Sequence, residues 1–273
     1  MATCPKKSGT ARGWLAPPRV VDAITDPVER RGYTWELLIV FSATLGLSGL
    51  RSLISLLNAL LQPKPLNQQS VALNVQQATV SLLDLLAQLA GVLQLLAWGG
   101  LGAYLLWRAG IGPRLVGLDR TRPGKDLLAG CGLAALIGIP GLGFYFLTRA
   151  IGINLNVVPS ALGDTWWRVP VLILSAFGNA WAEESLVVGY LITRLRRFGW
   201  GENTSLVTAA VLRGSYHLYQ GFGGFFGNIA LGLLFGRVWQ RFNRLWALVI
   251  AHTILDVFSF VGYALLKGVI PGL

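Results

Sequence analysis

From Tyr33 onward the chain is a succession of apolar runs about 20 residues long, separated by short stretches rich in Pro, Gly, Asn, Gln or Arg. Runs of that length match helices that cross a hydrocarbon layer of about 30 Å, whereas barrel strands would be about ten residues long and alternate with period two. The pattern predicts an all-α, polytopic transmembrane helical bundle of about seven spans, over 33–61, 82–107, 126–147, 168–193, 204–219, 225–239 and 245–266. The first run, interrupted by Gly46, Gly49 and Arg51, reads either as one tilted helix with its arginine facing protein or as a span followed by an amphipathic turn. Pro140 in the Gly-rich third run predicts a kink. Stretches 62–81 and 148–167, with their prolines and amide side chains, predict external loops. Residues 1–32 carry Pro, Lys and Arg without an apolar centre; they predict a disordered basic cytoplasmic tail rather than a cleaved signal, ahead of a transmembrane domain over 33–273.

Composition agrees, with 53% hydrophobic and only 13% charged residues, against about a quarter charged in soluble domains. The net charge of +11 would point to nucleic acid in a soluble protein, but here the placement of the charges matters more than their sum. Seventeen of the 23 Lys and Arg fall on one side of the expected bundle. By the positive-inside rule that side is cytoplasmic, which puts the N-terminus inside, predicts a multi-pass protein of the cell (inner) membrane with the lipid bilayer as its environment, and excludes a nucleic-acid partner. Arg194, Arg196 and Arg197 read as topology anchors at the end of the fourth run. Cys4 and Cys131, one in the tail and one in a span, offer neither a disulfide framework nor a CxxC metal site.

Against this apolar background three short pieces stand out: Ala182-Glu183-Glu184-Ser185, Arg213-Gly-Ser-Tyr-His217 and His252-Thr-Ile-Leu-Asp256. Ionisable side chains inside a membrane are costly unless they are paired or used. Counted from the basic end of each helix, Glu183, His217, His252 and Asp256 lie about 10 to 20 Å deep, so they can meet at one level. His252 and Asp256, four apart, share a helix face and can address one small object. Two carboxylates, two imidazoles and a third carboxylate could activate water by general-base catalysis. They could equally bind zinc through nitrogen and oxygen ligands with one position open. A proton relay in a transporter would use the same residue types; no internal repeat supports that reading.

On these residues the chain resembles the CPBP family of CAAX-processing and bacteriocin-processing (Abi) intramembrane proteases. That family's pattern is Glu-Glu-x-x-x-Arg, Phe-x-x-x-His and His-x-x-x-Asn/Asp on successive membrane helices. The likeness covers about 169–262 and departs twice, because Val188 stands at the arginine and Arg213 at the phenylalanine. The resemblance implies an intramembrane endopeptidase acting on a membrane-associated peptide or protein substrate. Glu183 would be the base, Glu184 its partner and His217 a second holder of the water, with His252 and Asp256 completing an oxyanion site or, with His217, a zinc site. Arg213 could supply from the neighbouring helix the cation missing at Val188; if it does not, a catalytically silent membrane scaffold or immunity-type protein is the alternative. The pocket is expected among spans four to seven, opening to the cytoplasm or sideways to lipid.

Overall fold

A computed structural model describes residues 22–266. In chain order it contains α1 (Pro27–Ala43), α2 (Leu45–Leu60), β1 (Ser70–Asn74), α3 (Ser81–Arg108), α4 (Pro113–Val116), α5 (Pro123–Ala150) and β2 (Asn156–Ser160). There follow α6 (Arg168–Glu183), a π-helical stretch (Glu184–Leu191), α7 (Ile192–Arg197), α8 (Glu202–Ser215), a 3-10 turn (Leu218–Gln220), α9 (Phe222–Phe242) and α10 (Leu245–Leu266).

The protein is an all-α polytopic bundle, and among the described residues fewer single helices reach the length and apolarity of a membrane span than the sequence suggests. Among the described residues five helices are long and apolar enough to cross a membrane, and the bent pair α1–α2 makes a sixth. The run expected at 204–219 gives α8, which has only 14 residues, or about 21 Å of helix, short of a hydrocarbon layer. It ends in a turn tied to the segment after α5, where Leu155 N–H donates to the Gln220 carbonyl and Phe222 N–H to that of Ile153.

Of the tail expected over 1–32, residues 1–21 lie outside the described residues, and the last six are helical. Asp26 caps α1 by accepting from Val28 N–H at 3.0 Å, and Pro27 occupies the first turn, where its missing N–H costs nothing. The first apolar run breaks at Thr44, with α1 and α2 bent by 46°. Thr44 Oγ1 donates back to the Val40 carbonyl at 2.7 Å, a bond that competes with the helix ladder. Arg51 is exposed on α2 rather than turned to protein. The third run stays helical through Pro140.

The two stretches expected as external loops pair with each other, as β1 and β2 form a parallel ladder with Val71 opposite Val157 and Ala72 opposite Val158. Their pairing confirms that both loops share one face. On the opposite face Arg244 binds Asp119 at 2.9 Å and also Asp126, and Arg241 binds Glu202 at 3.3 Å. In that loop the Thr121 hydroxyl and amide, helped by Arg244, hold the Asp119 carboxyl well below the usual carboxylate range.

The span 168–197 is the centre of the bundle, with 67% of its apolar window buried against 11% for α5. Arg194, expected to anchor at the surface, is wholly buried instead. Its Nη2 meets Glu36 Oε1 at 2.6 Å, its guanidinium lies 3.9 Å from the centre of the Tyr33 ring, and Tyr190 O–H donates to the same Glu36 oxygen at 2.9 Å. A lone guanidinium could not stay there; α1 brings the carboxylate that permits it.

Candidate active site

Glu183 closes α6, and Glu184 opens the π-helical stretch, all eight residues of which are buried. Such wide turns interrupt the regular ladder and occur at functional sites. α8 contributes Arg213, which is followed by Gly214, a residue whose missing Cβ lets α9 come close: a Cβ there would meet the Phe225 carbonyl oxygen at 2.8 Å. After α8, Tyr216 and His217 lead into the 3-10 turn. α10 presents His252 and, one turn on, Asp256.

These side chains form one connected set. Arg213 Nη2 sits at its base, 2.8 Å from Glu184 Oε1, 3.2 Å from Glu183 Oε2 and 3.1 Å from His252 Nδ1. His252 Nδ1 also lies 2.9 Å from Glu184 Oε1. Glu183 Oε2 accepts a second bond, from Tyr216 O–H at 2.9 Å. Its other oxygen, Oε1, faces His217 Nε2 across 3.9 Å. His252 Nε2 lies 3.7 Å from Asp256 Oδ2, and the Asn179 side chain bonds the Asp256 carboxylate from α6. Gln220 Nε2 is 3.3 Å from His217 Nδ1.

The structure therefore brings Glu183, Glu184, Arg213, His217, His252 and Asp256 together from α6, the π stretch, α8, the turn after it and α10. Arg213 touches both carboxylates and one imidazole, as the sequence allowed for a cation supplied from the neighbouring helix. Val188, which stands in place of the motif's arginine, is buried and apolar. Two contributors were not legible as such. Tyr216 lies in the second motif, but nothing in a single sequence says which of its residues turns inward. Asn179 stands four before Glu183 on the same face of α6, a spacing that could have signalled it.

The buried polar atoms without a partner are informative. Glu184 Oε2, Arg213 Nε and Nη1, and His217 Nε2 all have none. Buried groups of this kind are ordinarily satisfied by protein or by ordered water, so the donor set suits a hydrated site. It does not suit zinc. Among the described residues no group of three or more His, Cys, Asp or Glu side chains is placed to hold a metal ion. The ligands expected from the sequence, His217, His252 and Asp256, are not gathered on one point: Nδ1 of His252 is taken up by Glu184 and Arg213, its Nε2 faces Asp256, and His217 faces Glu183. The guanidinium supplies the positive charge at the base of the site.

Residues 165–258 match the family model described as Rce1-like, type II CAAX prenyl endopeptidase. The match spans about a third of the chain and contains every one of these side chains. No curated protein and no solved structure matches.

Proposed function

We propose that this chain, whose residues 165–258 match the Rce1-like model, hydrolyses a peptide bond of a membrane-associated substrate with water activated by Glu183. One observation carries the reading: Glu183 Oε1 and His217 Nε2 face each other 3.9 Å apart. A single water about 2.8 Å from each atom bridges such a gap.

In the reaction Glu183 takes a proton from that water while His217 holds its oxygen, and the hydroxide adds to the scissile carbonyl carbon. The C–O bond forms and the carbonyl electrons move to oxygen. The oxyanion is held by the Nε2–H of His252, which faces Asp256 across 3.7 Å. Collapse breaks the C–N bond, and the proton on Glu183 passes to the leaving nitrogen. Arg213 touches no substrate in this scheme; it keeps Glu184 and one oxygen of Glu183 occupied so that the other oxygen is the base. No step runs through a metal.

The test is cleavage of a membrane-anchored peptide substrate by purified protein in lipid. Glu183→Gln, which keeps the shape and removes the base, is expected to lower turnover at least 10³-fold, and a zinc chelator to leave it unchanged. Unaltered turnover in Glu183→Gln would end the assignment of Glu183 as the base, and loss with the chelator would end the metal-free scheme. Val188 favours a second reading, a catalytically silent scaffold; it predicts no cleavage by the wild-type protein and a wild-type phenotype for Glu183→Gln.

A further inference from the structure

We propose that the pocket is entered from the face that carries β1 and β2, opposite the basic loops, so that the peptide to be cut is presented from the extracytoplasmic side. The proposal rests on the hydrolase reading for its substrate, but its geometry is independent of it.

The site is graded along the membrane normal. α6 runs from the sheet face toward the basic face, whereas α8 and α10 run the other way. Along each segment side-chain exposure rises toward the sheet face, from 0% for Arg213 on α8 to 17% for His217 in the turn after it, and from 7% for His252 to 21% for Asp256 on α10. Two separate segments give the same slope, so it belongs to the pocket and not to any one helix. Toward the basic face, the space below Arg213 is closed by packed apolar side chains, among them Ile192, Leu195, Leu206, Phe235, Leu245 and Leu248, all in one buried cluster. No water or extended chain passes such packing without prising helices apart.

Toward the sheet face the lining turns polar. Asn179 bonds Asp256, and Tyr219 and Gln220, bonded to each other, stand half-buried beside His217. The turn that carries them is fastened to the segment leading into β2 through the Asn154–Gly221 bridge. Amide and phenol groups at a pocket mouth suit the alternating donors and acceptors of an extended peptide. The substrate class that fits is a juxtamembrane segment projecting from the outer surface of the bilayer. Of the two openings expected from the sequence, toward the cytoplasm or sideways to lipid, the first lies on the side closed by this packing.

The test uses the full chain with Cys4 and Cys131 changed to serine and one cysteine returned at a time: Asn179→Cys and Gln220→Cys at the mouth, and Arg120→Cys, exposed on the basic face. A membrane-impermeant sulfonated maleimide is applied to sealed vesicles of each orientation. In right-side-out vesicles both mouth cysteines are expected to react at least tenfold faster than the Arg120 cysteine, and in inverted vesicles the order reverses. Mouth cysteines that react from the same face as Arg120→Cys, mouth cysteines that react only after detergent, or an Arg120 cysteine that reacts from outside would each overturn the proposal. Labelling needs no turnover. A protease that fails this test loses only the route of entry, and a correctly labelled pocket without cleavage loses only the hydrolase.

Discussion

Glu183 and Glu184 are neighbours in sequence with different tasks, and the difference lies in which oxygens are already bonded. Glu184 gives Oε1 to Arg213 and His252; Glu183 gives Oε2 to Arg213 and Tyr216 and keeps Oε1 for His217. Tyr216 is thus a positioning residue. Tyr216→Phe removes one bond to a charged group, worth about 1.5–3 kcal/mol, so kcat is expected to fall by about ten- to a hundredfold with KM little changed; a change in KM alone would assign Tyr216 to substrate binding. Arg213→Leu leaves Glu184 buried without its cation, which costs about 3–5 kcal/mol, and the melting temperature in detergent is expected to drop together with activity. Arg213→Lys keeps the charge but not the fork; it is expected to recover most of the stability and only part of the rate. The ionisable members of this set were legible because an apolar run makes any charge conspicuous. The pairing of Arg213 with both carboxylates was legible only as an option, because adjacency between helices is not written in either helix.

At the scale of elements, the span 168–197 is held from two sides. α3 reaches it through Gly99, where a Cβ would collide with the indole of Trp181, and through the Trp181 N–H bond to the Leu96 carbonyl at 3.1 Å. α1 reaches it through Glu36, which neutralises Arg194. Glu36→Leu is expected to destabilise the protein by about 3–5 kcal/mol, because it leaves Arg194 charged and unpaired in a buried place, whereas the double change Glu36→Leu with Arg194→Leu should recover much of that loss. Thermal unfolding in one detergent measures both, and equal losses for the single and double variants would show that the pair contributes nothing as a pair. Gly214→Val is expected to push α9 from α8, disordering the site and lowering activity more than a comparable change at Gly91, where nothing lies within 4 Å. The sequence placed these glycines in spans but could not tell a contact glycine from a lipid-facing one.

At the scale of the whole molecule, both faces of the bundle are tied by contacts between distant segments: the sheet on one, the Arg244, Asp119 and Asp126 cluster on the other. The Asp119 carboxyl is depressed in the folded state, so it contributes stability that is present above the ordinary aspartate range, near pH 3.9, and is lost as pH falls through its lower folded value. The melting temperature is therefore expected to hold down to about pH 4 and to decline below it. Thr121→Ala, which removes the largest cause of the depression, should lower the plateau and flatten the decline, and an unchanged acid limb would remove Asp119 from it.

By itself the sequence determined the all-helical membrane character, the sidedness of the charges and the three pieces that carry the chemistry. Each of these follows from local composition, since the price of a charge or a loop in hydrocarbon depends on the residue and its immediate neighbours. Only the tertiary structure decided that one run is a 14-residue helix, that Arg194 turns inward to Glu36, that a guanidinium sits where a metal was an option, and which end of the pocket is closed. Those outcomes depend on which segments lie side by side, and a buried charge is stable only where a remote part of the chain delivers its partner.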